Sequence, residues 1–444
     1  MTKRLFGTDG IRGVALRPPL DEPTVSRLGA ALAGHLLEEG RPGRILMAGD
    51  TRQSTEILAR WLGGAFGAAG GTITWGGVLP TPAVSRLLRA GAGHDAGVII
   101  SASHNPAEDN GIKLVDGAGA KWSVEAERRL EARLAATPAG VPATALPEAD
   151  GTLAAAYTAR LLETLPGRPL AGMRVVVDAA NGAASAVAAP FFAALGAEPL
   201  VLNDRPDGTN INADCGALFP RHLADEVVRV GADAGVALDG DADRAILVTH
   251  TGRVLDGDDA LLVWARALAG DGALPGGAVV ATVMSNLGLE VALRRAGLRL
   301  TRCAVGDREV WDTMRREGAA LGGEQSGHVI CAHHSVTGDG MLTAAHLLAI
   351  ARRAGAALED LADLERYPQL LVNVPVKRRL PLGNIPGFSA AVEAEEGGLH
   401  GGGRVFVRFS GTEPVLRIMV EAGEEAEARA VIDRLSALAH RHLG

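Results

Sequence analysis

The chain has 444 residues, 47% of them hydrophobic and 22% charged, which suits several buried cores and excludes a disordered or collagen-like protein. Its 52 acidic and 44 basic residues, with only 3% aromatics, argue against a nucleic-acid or anionic-membrane partner. Three widely spaced cysteines argue against a disulfide framework or a zinc site. The N-terminus has no apolar leader, so we expect a cytoplasmic protein without membrane spans.

In chain order, short β-branched runs alternate with Ala- and Leu-rich segments, which predicts an α/β fold. Strands predicted from Arg44, Met173 and Ala278 each lead into a polar turn and a helical pattern. A further strand follows in each case, and the first two of these share the tetrapeptide DAGV, at 95–98 and 233–236. Each of the later strands ends in a polar loop. The sequence therefore predicts three similar α/β units in a row.

After residue 367 the pattern changes to two strand-like segments, VNVPVKR and GRVFVRFS. A terminal helical pattern follows that places Val431, Leu435 and Leu438 on one face, so we predict a smaller α+β domain here. The predicted domains are 1–150, which carries the loop SASHNP, 151–252, which carries DGDADR, 253–367, which carries GEQSGH, and 368–444, which carries RFSGTEP.

The loop SASHNP, at 101–106, follows an apolar strand and holds small hydroxyl side chains. A serine on a tight turn there can act as a covalent nucleophile or phosphate carrier, although the same residues also suit an ordinary Ser/Asn/Pro turn. Lys113 follows closely in NGIK and can offset the charge of a phosphate or move a proton. The loop and the lysine together favour phosphate chemistry.

The loop DGDADR, at 239–244, is the most specific of the motifs. It places the carboxylates of Asp239, Asp241 and Asp243 at alternate positions after an apolar run. Hard oxygen ligands without His or Cys favour Mg²⁺, whereas a calcium EF-hand needs a glutamate at the twelfth position, which is His250. A solvated acidic turn is the alternative, but three unpaired carboxylates beside a strand end repel one another. We therefore predict a metal site.

The loop GEQSGH, at 323–328, follows the later strand of the third unit. Its Glu324 and Ser326 can hydrogen-bond sugar hydroxyls, and His328 can transfer a proton. Taken alone, such a loop is more often simply a polar surface loop.

The segment RFSGTEP, at 408–414, combines Arg408, two hydroxyls and the backbone N–H groups around a glycine, with Arg417 further on. These are the parts of a phosphate cradle, and a surface turn with a chance arginine explains them about equally well. Near the N-terminus, two glycines flank Arg12, which suggests a shaped loop rather than a mobile tail.

Five motifs, taken together, resemble the α-D-phosphohexomutase superfamily and cover nearly the whole chain in family order. They are TDGIRG at 8–13, SASHNP at 101–106, DGDADR at 239–244, GEQSGH at 323–328 and RFSGTEP at 408–414. The resemblance implies four domains in a heart-like arrangement around one central cleft. The first three would be similar α/β domains with mixed sheets, and the fourth a smaller α+β domain.

The resemblance also implies roles for particular residues. Ser103 is implied to be the phosphoserine, and its phosphate to complete a Mg²⁺ site with Asp239, Asp241 and Asp243. The groups implied at the reacting centre, with the general acid and base left open, are Arg12, Lys113, Arg244 and His328. Those implied to hold sugar hydroxyls are Glu324 and Ser326. Those implied to hold the phosphate that does not react are Arg408, Ser410, Gly411, Thr412 and Arg417.

Within the superfamily the chain is most similar to the bacterial phosphoglucosamine mutases, on FGTDGIRG, on PDGTNINADCG at 206–216 and on the glutamine of GEQSGH. That branch interconverts glucosamine 6-phosphate and glucosamine 1-phosphate through a 1,6-bisphosphate intermediate and supplies UDP-N-acetylglucosamine synthesis. The implied cofactors are one Mg²⁺ ion per site and a hexosamine or hexose 1,6-bisphosphate activator. The implied partner is a small sugar phosphate, and a homodimer is one option for the assembly.

Two departures from the family pattern keep other functions open. Ala242 stands where the family mostly has glycine, and alanine takes a positive φ less easily. Residues 218–220 read LFP in place of a more usual polar run. The alternatives are a phosphoglucomutase or phosphomannomutase of the same family and a metal-dependent sugar phosphatase that uses the same serine and aspartates. A non-catalytic sugar-phosphate binder would be expected to have lost Ser103 or a metal aspartate.

Overall fold

The computed structural model describes residues 4–91, 93–140, 142–400, 402–410 and 414–444. The chain divides into two compact units. The first comprises the described residues of Met1–Thr282 together with Cys303–Asp363, and the second those of Val283–Arg302 together with Leu364–Gly444. The segment Val283–Arg302, which lies in the predicted third domain, thus groups with the C-terminal residues.

The first α/β domain is a five-stranded mixed sheet with helices. Its elements are β1 (Ile11–Val14), α1 (Glu22–Glu38), β2 (Arg44–Gly49), α2 (Thr55–Ala68), β3 (Thr72–Val78), α3 (Thr81–Arg89), β4 (Ala96–Ile100), β5 (Asp109–Asp116) and α4 (Val124–Ala136). The next helix, α5 (Thr152–Leu162), lies within the range predicted for the second domain. The strand order is β1–β5–β4–β2–β3, with β2 parallel to β3 and β4, and β5 antiparallel to β4 and β1. Every residue of β4 is buried, as expected of a central strand covered on both faces.

The second α/β domain repeats this arrangement. Its elements are β6 (Arg174–Asp178), α6 (Ala188–Ala194), β7 (Glu198–Leu202), a 3₁₀ turn (Gly216–Leu218), α7 (Arg221–Val230), β8 (Ala234–Leu238), β9 (Ala245–Thr249) and β10 (Val254–Leu255). The strand order is β10–β9–β8–β6–β7, in which β6 is parallel to β7 and β8, and β9 is antiparallel to β8 and β10.

The elements of the third region follow in the same sequence. They are α8 (Gly257–Gly270), a 3₁₀ turn (Pro275–Gly277), β11 (Ala278–Thr282), α9 (Leu287–Arg295), β12 (Arg299–Cys303), α10 (Asp307–Glu317), β13 (Leu321–Gly323), β14 (Val329–Cys331), α11 (Gly340–Ala354) and α12 (Leu358–Leu361). Strand β11 is parallel to β13, and β13 is antiparallel to β14. The predicted strand from Ala278 is shorter than expected and ends at Thr282. The predicted N-cap is present, since the Asn286 side chain accepts a hydrogen bond from the Gly288 N–H.

The three sheets confirm the predicted repetition. In each, the strand that precedes a predicted functional loop is parallel to the strand that begins at Arg44, Arg174 or Ala278 (β2, β6 or β11) and antiparallel to the strand after the loop. Strands β4, β8 and β13 occupy this equivalent position. The loops SASHNP, DGDADR and GEQSGH therefore leave their sheets at the carboxyl ends of equivalent strands, where open α/β sheets commonly bind ligands.

The C-terminal part of the second unit is a smaller α+β domain, as predicted. Its elements are β15 (Gln369–Pro375), a 3₁₀ turn (Leu382–Asn384), α13 (Phe388–Gly398), β16 (Arg404–Phe409), β17 (Val415–Glu421) and α14 (Glu425–Leu443). The sheet is antiparallel, in the order β15–β17–β16. Val431 and Leu435 of α14 are buried in its core and Leu438 is partly buried. In the described part of the chain, no helix is both long and apolar enough to cross a membrane.

A histidine cluster in the first unit is expected to make stability depend on pH. The His346 ring stacks on Trp264 at 5.0 Å between ring centroids and lies 4.6 Å from the His334 ring. Burial, together with His334 and Arg86, lowers the pKa of His346 to about 3. Burial, followed by His333, Arg86 and Arg89, lowers the pKa of His334 to about 4.

Because the folded pKa of His346 lies below its value of about 6.5 in the unfolded chain, the unfolded state binds more protons below pH 6.5. The contribution of the neutral His346 ring to the free energy of unfolding is therefore fully present above that pH, and it decreases as the pH drops toward 4. We expect the free energy of unfolding to decrease by about 1 kcal/mol through His346 alone between pH 7.5 and 5.5, measured by urea titration. His346→Gln should flatten this dependence, and the exposed His440→Gln controls for loss of a histidine. An unchanged dependence in His346→Gln would contradict the assignment.

Candidate active site

The backbone of Ser103 adopts an unusual conformation at the end of β4. Its φ is 54°, in the left-handed region that a residue with a side chain rarely adopts. The Ser103 N–H donates to Ser101 Oγ at 2.9 Å, and Ser101 Oγ donates to Asp50 Oδ2 at 2.6 Å. The Ser103 hydroxyl then donates to Asp239 Oδ2 at 2.6 Å. The turn thus directs the buried Ser103 side chain at the DGDADR loop of the second domain.

Arg52, a residue to which no motif gave a role, binds the backbone of this serine loop. Its side chain is completely buried and pairs with Asp50 Oδ2 at 2.9 Å. Its remaining N–H groups donate to backbone carbonyls of the loop and of the residues after it. Those carbonyls belong to Ser103, Asn105, Pro106 and Asp109. A guanidinium with five donors in a fixed plane is the side chain suited to this arrangement.

The carboxylates of Asp239, Asp241 and Asp243, hereafter the carboxylate triad, come together as predicted. Each is buried, and one oxygen of each lies within 4.8 Å of the others. Ala242 reaches the turn between them with a φ of 57°, so alanine takes the left-handed conformation that glycine would adopt with less strain. From the first domain, Thr81 Oγ1 donates to Asp241 Oδ2 at 2.6 Å.

The triad has the properties of a cation site. Asp241 Oδ1 and Asp243 Oδ1 are buried and have no hydrogen-bond partner among the described residues. Burial, reinforced by the neighbouring Asp243 and Asp241 carboxylates, raises the pKa of Asp239 well above its ordinary value. Both observations describe carboxylates that a bound divalent cation would stabilise. The three aspartates could therefore hold a metal ion.

Lys113 lies beside the triad and is linked to Arg12 through Asp9, a residue to which no motif gave a role. Lys113 Nζ is 2.9 Å from Asp241 Oδ2 and 3.5 Å from Asp9 Oδ2. Asp9 also pairs with the Arg12 guanidinium and with Lys121, whose Nζ lies 2.5 Å from Asp307 Oδ2. Although burial opposes ionisation, Lys113, Lys121 and Arg12 hold the pKa of Asp9 well below its ordinary value.

Arg244 and His328 lie near two members of the triad, Asp239 and Asp243. Arg244 Nε lies 3.7 Å from Asp243 Oδ1 and 3.9 Å from Asp239 Oδ2. His328 Nδ1 lies 3.5 Å from Asp243 Oδ2, and its Nε2 accepts a hydrogen bond from the Gly338 N–H at 3.0 Å. Because Nε2 is an acceptor, the ring proton of the neutral imidazole lies at Nδ1, facing Asp243.

The GEQSGH loop brings Glu324 and Ser326 together. The Ser326 hydroxyl donates to Glu324 Oε2 at 3.3 Å, and Glu324 Oε1 accepts from the Gly306 N–H at 3.0 Å. The same loop contacts the second domain, since the Ala245 N–H donates to the Gly327 carbonyl at 3.1 Å. The first unit thus brings together Ser103, the triad and four predicted basic residues, and it carries Glu324 and Ser326 on a loop that adjoins the triad through His328.

The residues of the predicted phosphate cradle belong to the second unit. Arg408 of β16 is the cross-strand partner of Arg417 of β17, so two guanidinium groups are neighbours. Burial and the charge of Arg417 lower the pKa of Arg408. Ser410 is buried, and its N–H donates to the Val415 carbonyl at 3.0 Å. The predicted residues Gly411 and Thr412 lie outside the described residues.

Four family models match successive parts of the chain, and all describe domains of phosphoglucomutase/phosphomannomutase. The alpha/beta/alpha domains I, II and III match residues 3–139, 155–252 and 256–367, and the C-terminal domain matches residues 371–438.

Relatives and solved structures of similar length agree with these matches. A phosphoglucosamine mutase of Solibacter usitatus is 44% identical, with 100% of each chain covered. The crystal structure of a phosphoglucomutase/phosphomannomutase family protein of Burkholderia thailandensis has a TM-score of 0.82 at 25% identity, covering 99% of this chain and 97% of that one. An Aspergillus fumigatus N-acetylphosphoglucosamine mutase, in complex with GlcNAc-6P and magnesium, shares the fold with a TM-score of 0.65 at 19% identity, covering 99% of this chain and 96% of that one. The chain belongs to the phosphoglucomutase/phosphomannomutase family of α-D-phosphohexomutases, in which relatives that match it over their full length are phosphoglucosamine mutases.

Proposed function

We propose that the protein is a phosphoglucosamine mutase that interconverts glucosamine 6-phosphate and glucosamine 1-phosphate through a phosphorylated Ser103. The observation that carries this proposal is the 2.6 Å contact of the Ser103 hydroxyl with Asp239 of the buried carboxylate triad. A phosphoryl carrier needs such a position, with a cation site on one side and basic side chains on the other. The 44% identity to a phosphoglucosamine mutase over the whole chain supports the choice of sugar.

Mg²⁺ is the cation that the triad suits best, because all the available donors are carboxylate oxygens and no imidazole or thiolate belongs to the set. Asp239, Asp241 and Asp243 would hold it, with the phosphate on Ser103 as a further ligand. When bound, it supplies neutralisation of the charge on the phosphoryl group in transfer.

The transfer itself is a displacement at phosphorus. The O1 hydroxyl of glucosamine 6-phosphate attacks the phosphorus of phosphoserine 103, so that a bond from O1 to phosphorus forms and the bond from phosphorus to Ser103 Oγ breaks. The product is glucosamine 1,6-bisphosphate, and the proton of O1 passes to a base at the site. Ser103 Oγ, released in this step, takes up a proton. After the bisphosphate reorients, Ser103 Oγ attacks the phosphorus of the 6-phosphate, so that a bond from Oγ to phosphorus forms and the bond from phosphorus to O6 breaks. The proton of Oγ passes to a base at the site and O6 takes up a proton, which leaves glucosamine 1-phosphate. A 1,6-bisphosphate added in trace amounts would prime the serine.

The basic residues of the first unit have separate tasks in this scheme. Lys113, paired with Asp241, and Arg244, paired with Asp243, supply positive charge beside the triad, while Arg12 is held by Asp9. His328 carries its proton on the nitrogen that faces Asp243 and is a candidate for proton transfer, as is Lys113.

The substrate must also be held in two orientations. Glu324 and Ser326 offer a carboxylate and a hydroxyl on one loop and would bind sugar hydroxyls. The phosphate that does not react would be bound by the paired arginines of β16 and β17 together with the residues between them that were predicted for this role, namely Arg408, Arg417, Ser410, Gly411 and Thr412.

Initial rates with glucosamine 6-phosphate, glucose 6-phosphate and mannose 6-phosphate, after priming with glucose 1,6-bisphosphate, test the proposed substrate. Glucosamine 6-phosphate should give the highest kcat/KM. A phosphoglucomutase or phosphomannomutase would prefer one of the other two, and a sugar phosphatase would release inorganic phosphate without forming a sugar 1-phosphate.

Loss of one triad carboxylate should remove most of the activity. We expect Asp241→Asn to lower kcat/KM by about 100-fold or more, because a metal ion contributes several kcal/mol to stabilising charge in the transition state. The measurement is the mutase rate as a function of added Mg²⁺, with chelator-treated wild-type protein for comparison. Asp225→Asn, which changes an exposed carboxylate on α7 of the same domain, is the matched control. Full activity of Asp241→Asn, or of the chelated wild type, would contradict a metal site at the triad.

A further inference from the structure

Residues 206–216, PDGTNINADCG, form a loop of the second domain that reaches the serine loop of the first. Within it, Asn212 is 9% exposed, and its Nδ2 donates to the Ser103 carbonyl at 2.9 Å and to the Asn105 carbonyl at 3.0 Å. The segment that contains Asn212 is one of those on which the chain resembles the phosphoglucosamine mutases, but that resemblance gives Asn212 itself no role.

The Ser103 carbonyl accepts hydrogen bonds from both the first and the second domain. It accepts from Asn212 of the second domain and, at 3.1 Å, from Arg52 of the first. Ser103 is itself in the left-handed region, which a residue with a side chain adopts only at a cost in free energy. Such a conformation persists where surrounding contacts specify it, and here two donors specify the orientation of the peptide.

The backbone of Asn212 is hydrogen-bonded to a segment of the second domain that also binds the DGDADR loop. Its N–H donates to the Ala180 carbonyl at 2.9 Å, and three residues later the Ala183 N–H donates to the Gly240 carbonyl at 2.8 Å. The approach is close, since a Cβ at Gly240 would lie 2.6 Å from the Ser103 carbonyl oxygen and 2.8 Å from Asn212 Nδ2. Asn212, the Ser103 peptide and the metal loop therefore pack against one another directly.

We propose that Asn212 is a positioning residue, which holds the Ser103 peptide in its left-handed conformation and so sets the position of the Ser103 hydroxyl relative to Asp239. The inference rests on the proposed function of Ser103 as phosphoryl carrier. Asn212 touches neither the hydroxyl nor the triad carboxylates through its own hydrogen bonds, and it acts through the backbone of the serine loop.

Two variants remove the donors without adding backbone strain. Asn212 has a φ of 58°, which glycine and aspartate both tolerate, so Asn212→Gly deletes the amide and Asn212→Asp replaces it with a group of the same shape that cannot donate. Asn210→Ala is the matched control. Within the described part of the chain, the Asn210 side chain accepts from the Asp207 N–H and donates to the Arg205 carbonyl, both of them close neighbours in sequence.

We expect kcat to fall by about 10- to 100-fold in both Asn212 variants, because a displacement of about 1 Å at a reacting group can cost that much, while KM for the sugar phosphate stays within about threefold. Single-turnover transfer of phosphate from glucose 1,6-bisphosphate to the dephosphorylated protein, followed by intact mass, should slow by the same factor. Asn210→Ala should match the wild type in both measurements.

A kcat within twofold of the wild type in a folded Asn212 variant would overturn the proposal, as would equal losses in Asn212→Gly and Asn210→Ala. If Asn212→Gly does not fold, Asn212→Asp decides by the same criteria. The proposed function fails separately, if wild-type protein neither accepts phosphate on Ser103 nor forms a sugar 1-phosphate.

Discussion

Ser103→Ala is expected to abolish mutase activity, with a loss of at least about 10⁴-fold in kcat, while the protein keeps its fold. The alanine side chain cannot carry a phosphoryl group, so no 1,6-bisphosphate can form, and the other groups of the site stabilise a transfer that has no donor. The side chain that is removed makes few contacts of its own beyond the hydrogen bond to Asp239 and a 3.3 Å contact with His104 Nδ1. The free energy of unfolding should therefore change by no more than about 1–2 kcal/mol.

The loss is measured as sugar 1-phosphate formed in a discontinuous assay with added 1,6-bisphosphate. Ser389→Ala, at an exposed position of α13, controls for the substitution itself. A Ser103→Ala protein that keeps a tenth or more of the wild-type rate would show that another group carries the phosphate.

Arg52→Met should have the largest effect on stability. The substitution leaves Asp50 without its buried ion-pair partner and withdraws the donors from the carbonyls of the serine loop. Breaking a buried pair by removing one partner typically costs 3–5 kcal/mol, because the remaining charge stays buried, and we expect a destabilisation of about that size. Activity should fall as well, since Ser103 loses one of its two peptide donors.

Urea unfolding followed by circular dichroism gives the change in stability. Arg60→Met is the matched control, because Arg60 pairs with Glu56 on the surface of α2, with both side chains more than half exposed. That pair is worth only about 0.3–0.5 kcal/mol. If Arg52→Met were no more destabilising than Arg60→Met, the serine loop could not depend on the buried guanidinium.

The carboxylate triad could be predicted because its members are close in sequence. Asp239, Asp241 and Asp243 alternate over five residues directly after a strand, so a single turn was enough to bring them together. The fold was predictable for a related reason, since the repeated DAGV segments marked equivalent strands β4 and β8. The alanine at position 242, a departure from the family pattern, is accommodated with a positive φ, so the loop closes in spite of it.

The residues that sequence reasoning missed act across long distances along the chain. Arg52 reaches carbonyls more than 50 residues away, and Asn212 reaches one 109 residues away. Asp9 joins Lys113 and Lys121 from the opposite end of the first domain. Most of their partners are backbone carbonyls or charged groups that are distant in sequence and that the fold brings close. The sequence does contain a local indication of the role of Arg52. Asp50 and Arg52 follow the apolar strand β2 directly, and charged residues in a buried position are normally paired.

The most direct test of the central proposal follows one phosphate through the protein. Dephosphorylated wild-type protein is incubated with Mg²⁺ and glucose 1,6-bisphosphate labelled with ³²P, freed of small molecules, and then given unlabelled glucosamine 6-phosphate. We predict one labelled phosphate per chain, on the peptide that contains Ser103, and its later recovery in glucosamine 1,6-bisphosphate and the glucosamine monophosphates. Label on a different residue, or label released as inorganic phosphate with none in the sugar, would contradict a phosphoserine mutase.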